Sequence, residues 1–184
     1  MKKLIVLLLV IVAALGGSLA VMSGEWSVER SQVVAGTPVQ VHQVVEDLST
    51  WPDWSYWNKE TDPSAEFEFS TPASGAGATW DWESEGDLGV GTMKVISSSV
   101  AEGMHYGIEM AGMKLQGRLT YREVDGGTLV TFASSGVSEG LLKLMAPLVD
   151  RFVGPSYESS LAGLDRYLKD AAASSGDEAT SAEE

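Results

Sequence analysis

The chain has 184 residues, 44% of them apolar, no cysteine and a net charge of −14. That apolar content over one domain's length excludes a wholly disordered chain. The missing cysteine excludes a disulfide, a cysteine nucleophile, a thiolate metal site and a lipidated cysteine. The acidity, −16 once Lys2 and Lys3 are set aside, leaves no basic face to meet phosphates, so no nucleic-acid partner is expected and its plain reading is solubility.

The first element is a charge-free run from Leu4 to Met22, directly behind Lys2 and Lys3. About 19 apolar residues almost span a hydrocarbon layer of ~30 Å. Residues 1–23 therefore read as a signal anchor in the bacterial cytoplasmic membrane, crossing through residues 4–22 with the lysines inside and the domain outside the cytoplasm. Gly16, Gly17 and Ser18 weaken such a helix, and Ser18-Leu19-Ala20 resembles a cleavage site. A signal peptide cut near Ala20, with a secreted or periplasmic product, stays open as the other reading.

One domain is expected over residues 24–170. Glu25 to Val33 alternates, with its apolar residues on even positions, as a half-buried strand does. Gly36-Thr37-Pro38 then opens a helix, with Thr37 as cap and Pro38 in its first position. Val41, Val44, Val45 and Leu48 form its apolar stripe, and His42 falls on the polar side. Trp51-Pro52-Asp53-Trp54-Ser55-Tyr56-Trp57 packs four aromatics around a proline, as a short helix or loop.

Six strands follow, at about 65–70, 78–85, 91–99, 104–110, 114–124 and 128–135. The turns between them are rich in glycine, and Asp-Gly and Gly-Gly are hairpin signals, so the strands form an antiparallel meander. No segment of helical period interrupts them, which argues against parallel βαβ units. Helical spacing returns with Leu141, Met145, Leu148 and Phe152, then Tyr157, Leu161, Leu164 and Leu168. Pro147 and Gly154-Pro155 predict a short first piece and a long helix kinked or restarted near Gly154. Residues 171–184 are a polar, acidic, low-complexity tail, expected to be disordered.

With this order in view, the chain resembles the START-like (SRPBCC) superfamily, in its polyketide cyclase/dehydrase-like branch. Three pieces carry the resemblance. They are Val39 to Trp57, where a helix runs into Asp47-Leu48 and spaced tryptophans; Ala78-Thr79-Trp80-Asp81-Trp82 followed by Gly89-Val90-Gly91-Thr92-Met93; and the Tyr157–Lys169 ending. The resemblance covers residues 26–170 and implies an α+β helix-grip fold, a curved antiparallel sheet of about seven strands wrapped on a long C-terminal helix around a cavity for a hydrophobic ligand. A shared fold does not carry an activity with it.

Alternation places Trp80 and Trp82 on one face of their strand, with Met93, Tyr106, Met110, Leu119 and Tyr121 on the matching face of its neighbours. Trp54, Trp57, Met145, Phe152 and Tyr157 complete the set of cavity or lid candidates. Taken singly each reads first as core, since large aromatics in clusters serve packing; as a set, Met with aromatics suits an adaptable pocket. Asp81 and Glu83 face the other way, within reach of Lys114, Arg118 and Arg122. A one-residue slip would turn an Asp81–Arg118 pair inward. His42 and His105 stand apart, so no metal site, no cofactor and no catalytic residue is assigned. The expected function is a membrane-tethered binding module for a hydrophobic or lipid-like small molecule. A cyclase/dehydrase-like enzyme and a protein-interaction domain with a filled core are the alternatives.

Overall fold

A computed structural model describes residues 23–181 apart from Ala111, with side chains as far as Ser174. The expected anchor or signal segment and its cleavage site lie outside the described residues. Among those described, no helix is long and apolar enough to cross a membrane.

The strands are β1 (Glu25–Val34), β2 (Glu66–Phe69), β3 (Thr79–Glu83), β4 (Gly91–Ser99), β5 (Gly103–Met110), β6 (Met113–Val124) and β7 (Gly127–Val137). They make one antiparallel sheet in the order β1-β7-β6-β5-β4-β3-β2. The meander therefore runs unbroken from β2 to β7, and β1 closes it from the far edge. Between β1 and β2 come α1 (Pro38–Glu46), a 3-10 turn (Leu48–Thr50) and the single-turn α2 (Trp51–Trp54). After β7 a 3-10 segment, Gly140–Leu148, leads into α3 (Val149–Ser181), the helix gripped by the sheet.

Local chemistry accounts for α1. Thr37 Oγ1 accepts from Gln40 N at 3.4 Å while Gln40 Oε1 accepts from Thr37 N at 2.8 Å, so two orphan donors are satisfied reciprocally. Val41, Val45 and Leu48 are fully buried. His42 departs from its expected surface position. It is buried, because α1 lies across β5 and β6 and covers a second flank of the helix. Its ring meets Tyr121 edge-on at 5.6 Å, and Nε2 lies 3.3 Å from Glu46 Oε2.

The long helix is not broken at Gly154-Pro155, contrary to the sequence reading. The change of winding comes earlier, where the 3-10 segment holding Pro147 gives way to α3 at Val149. Gly154 serves another purpose: a Cβ there would overlap the Arg30 guanidinium. That guanidinium donates to Asp150 Oδ1 at 2.8 Å and Glu158 Oε1 at 2.6 Å, fastening β1 to the first turns of α3. The carboxylates raise the Arg30 pKa further, and Arg30 holds the Asp150 carboxyl below its ordinary value. Gly163 is a second close approach, with the Trp54 carbonyl where its Cβ would sit. The helix also continues through Ala171–Ala173, good helix formers, to Ser181, into the stretch expected to be disordered.

Other polar contacts fix the loops and the outer face. The buried Asp62 carboxylate accepts from the Ser64 and Ser84 hydroxyls and from Leu88 N, tying the chain before β2 to the β3–β4 connection. The hydroxyl donors hold its pKa down to about 2. Asp81 and Glu83 face solvent, so the register is the one expected. Their partners are not the expected basic residues, because sheet order puts those strands apart. Asp81 accepts from Thr92 Oγ1 at 2.5 Å, Arg118 lies 3.8 Å from Glu29, and Lys114 pairs with Glu109 at 2.7 Å.

Candidate functional site: the aromatic interior between sheet and helix

Inward positions of four strands set the floor of the interior: Trp80 and Trp82 on β3, Met93 on β4, Tyr106 and Ile108 on β5, and Phe132 on β7. Trp51 of α2, Trp57 after it, and Tyr157 of α3 close the other sides. The residues on β3 and β4 follow from strand alternation. Trp51 is placed by Pro52, which suits the first turn of so short a helix, and by its indole N–H, which donates to the Val45 carbonyl at 2.8 Å.

Trp51 is the hub. Its ring lies 4.8 Å from Trp54, 5.8 Å from Trp80, 6.0 Å from Tyr106 and 6.1 Å from Phe132, mostly edge to face. Phe132 in turn stacks on Tyr157 at 4.0 Å and 8°. Packed this closely, the aromatics leave a void of only about 10 Å³. That is room for about one water.

The polar atoms in this wall are few and specific. Tyr157 donates to Ser134 Oγ at 2.6 Å, and the Tyr106 hydroxyl is hydrogen-bonded to Tyr157, making a buried chain of three hydroxyls. Burial pushes both phenols above their ordinary pKa, so they stay protonated at neutral pH. The Trp82 N–H donates to the Leu88 carbonyl at 3.1 Å. The Trp80 N–H has no acceptor, although the residue is fully buried. Such a donor costs roughly 1–3 kcal/mol relative to a paired one.

A second unpaired group lies under α1. His42 Nδ1 and the Tyr121 hydroxyl are both buried without partners, and Tyr121 is pushed well up by burial and then by the Glu46 carboxylate. Among the described residues, no group of three or more His, Cys, Asp or Glu is arranged to hold a metal.

Of the cavity candidates read from the sequence, Trp57, Trp80, Trp82, Met93, Tyr106 and Tyr157 surround the void. Leu119 is buried core and Met110 is half-buried, neither on the void. Trp54 is buried with its N–H on Thr50 Oγ1 at 3.2 Å, and Tyr121 turns to α1. Met145 and Phe152 lie outside altogether, 45% and 63% exposed, while Val149 and Val153 pack against the core. The candidate set drawn from the sequence leaves out Trp51, the hub, and with it Ile108 and Phe132, which also line the void. Alternation in the last strand puts Phe132 beside Val130 and was the signal for it. A wider hollow of about 1160 Å³ opens at the sheet's end, where Trp26, Leu115 and Leu142 meet Lys94, Glu109 and Lys114. Its mixed, open lining is that of a surface depression.

A family model described as polyketide cyclase/dehydrase and lipid transport matches residues 25–169. No curated protein matches the sequence. Among solved structures, the di-domain ARO/CYC StfQ from the steffimycin biosynthetic pathway aligns with a TM-score of 0.62 at 11% identity, covering 82% of this chain and 53% of that one. A protein of unknown function from Staphylococcus aureus aligns with a TM-score of 0.62 at 13% identity, covering 80% and 96%. A Rhodobacter sphaeroides protein aligns with a TM-score of 0.60 at 18% identity, covering 79% and 93%. At these identities the likeness is one of fold.

Proposed function

This chain belongs to the polyketide cyclase/dehydrase and lipid-transport family, and from that premise we propose that it binds a hydrophobic, lipid-like small molecule between sheet and helix. In the same reading, residues 4–22 hold the domain at the outer face of the cytoplasmic membrane. The observation that carries the ligand reading is Trp80. Its N–H is a buried donor without an acceptor in the wall of an otherwise apolar, aromatic void. Buried polar groups are normally paired, and an orphan asks for a water or a ligand atom. A ligand with an apolar body and one acceptor oxygen supplies both the area and the missing partner.

A void of about 10 Å³ does not hold such a molecule as it stands. Binding therefore requires the wall to move. Trp57 is the wall residue suited to it: it is half-buried, packs edge-on against Tyr56 at 5.9 Å, and that segment is held to α3 through Tyr56 N on Ser160 Oγ at 2.9 Å. Swinging Tyr56-Trp57 outward opens the interior beside the helix without unpairing the sheet.

The test is mass spectrometry of organic extracts from natively purified full chain. An apolar compound near stoichiometry is expected, with lower occupancy in Trp80→Phe, which keeps an aromatic ring and removes the donor. Extracts with no such compound would overturn the proposal and leave a domain whose interior is simply filled. A second reading, a cyclase-like enzyme, is favoured by the Tyr106–Tyr157–Ser134 chain, whose two protonated phenols now donate within the chain and can donate to a ligand carbonyl by exchanging those acceptors for it. It requires turnover of the extracted compound that Tyr157→Phe abolishes while binding persists. The tether is tested separately by alkaline extraction, in which the full chain stays in the membrane pellet; release into the supernatant would overturn it.

A further inference from the structure

The segment between β7 and the buried part of α3 is unlike the rest of the surface. Leu141 is 75% exposed and Phe152 63%, and Leu142, Leu144, Met145 and Leu148 are each more than 40% exposed. In a 3-10 winding, residues three apart eclipse one another. Leu142, Met145 and Leu148 thus form one edge, with Leu141 and Leu144 beside it. A contiguous apolar surface of this kind on a soluble domain marks a contact with something apolar.

Two observations say what. The first is position. Gly24 O accepts from Ser138 N at 2.9 Å, and the Lys143 side chain lies against Gly24. The apolar run Leu4–Met22 ends only two residues before Gly24, and two residues reach ~7 Å at most. The patch therefore begins where the proposed tether leaves the domain. The second is charge. The chain carries 26 acidic residues, yet residues 140–149 contain none, and their charged side chain is Lys143. An acidic domain is repelled by anionic lipid; this stretch adds nothing to that repulsion, and Asp150, near the end of the patch, is paired with Arg30 at 2.8 Å.

We propose that Leu141–Phe152 is an interfacial membrane contact, with its leucines, Met145 and Phe152 set into the boundary between headgroups and acyl chains. This proposal rests on the tether reading above and adds to it the face that the domain turns to the bilayer. Apolar burial to the depth typical of interfacial segments, ~5–10 Å, suits side chains of this size on a winding that lies along the surface. The hollow that Leu142 shares with Trp26 and Leu115 then opens at the lipid surface.

Because the chain has no cysteine, single substitutions Leu142→Cys, Phe152→Cys, Asp125→Cys and Leu8→Cys can each carry one NBD fluorophore. Asp125 lies at the β6–β7 turn, at the other end of those strands, and Leu8 reports the tether itself. The full-length variants are reconstituted in phosphatidylcholine vesicles with and without doxyl-labelled lipid. Labels at 142 and 152 are expected to be quenched at least about twofold more than the label at 125, as interfacial insertion requires. Quenching at 8 without quenching at 142 and 152 would overturn the membrane contact and leave the tether standing. Absence of quenching at 8 would overturn the tether, and this proposal with it. Shielding at 142 that is insensitive to doxyl lipid would also overturn it: if reversed by dilution the occupant is a second copy, and if not, residues 4–22 themselves.

Discussion

Leu141–Phe152 and Tyr157–Leu168 repeat the same apolar spacing at three and four residues, yet they end in opposite surroundings. Tyr157, Leu161, Leu164 and Leu168 are buried, whereas the earlier set is exposed. The cause is the extent of what lies opposite. Tyr157 and its successors face Phe132, Ser134 and the Trp51–Trp54 turn. In the earlier set, Leu141, Met145 and Leu148 lie on the 3-10 segment that follows Val137, where the β1–β7 ladder stops, and Phe152 sits on α3 while Val149 and Val153 pack against the core. Periodicity declares which face of a segment is apolar; only the neighbouring elements decide whether that face is covered.

The sharpest way to break this comparison is to truncate on the covered side. Trp51→Ala is expected to cost about 3–5 kcal/mol and Leu164→Ala about 2–5 kcal/mol, read by equilibrium urea unfolding of the full chain in detergent. Costs below ~1 kcal/mol at both sites would mean that the helix is not gripped as described. Gly163→Ala comes next, at about 1–3 kcal/mol, because the obstacle is the Trp54 backbone, which cannot rotate away. Gly154→Ala is its counterpart near the uncovered side. There the obstacle is the tip of Arg30, which can swing, and alanine regains up to ~1 kcal/mol of helix propensity, so the same measurement should find little change. Leu141→Ala should fall within ~0.5 kcal/mol of the parent, since it uncovers nothing; a loss of more than ~2 kcal/mol would show that the patch is packed after all.

The last prediction concerns acid. Asp62 sits on the covered side, holding the loop behind β3, with its pKa lowered to about 2 from 3.8. A carboxyl depressed on folding contributes stability that is present above about pH 4 and is lost as pH falls toward 2. Asp62→Asn should remove that part of the acid dependence while leaving Arg30→Gln, on the other side, to show its own. Identical pH profiles for the parent and Asp62→Asn would show that the Ser64, Ser84 and Leu88 donors do not hold the carboxylate.

Much of the fold was legible because its signals are local. Gly-rich turns punctuate the six strands, alternation carries Trp80 and Trp82 to one face, and Thr37-Pro38 announces α1. What escaped reading depends on distant residues. Gly154 looks like a helix breaker until Arg30, more than a hundred residues earlier, is seen to need its space. His42 looks exposed until α1 is laid across β5 and β6. The candidate site was legible as a set of inward aromatics but not as a volume. Whether nine large side chains enclose a pocket or fill one depends on how Trp51 and Phe132 interlock, and no spacing encodes that.

The placement of β1 also has a consequence for the order of events in folding. Its ten residues pair with β7, from Glu25 on Val137 to Val34 on Thr128, about a hundred positions apart, and Ala35 N reaches Asp165 Oδ1 at 3.0 Å. Contacts so distant along the chain carry a large loop-closure cost and slow the search for the native state. The first strand to emerge is therefore the last to find its partner. Until β7 and α3 have followed it, Trp26, Val28 and Val34 have nothing to lie against. A nascent chain of this kind has an interval of exposure written into its topology, during which its unpaired first strand is open to aggregation.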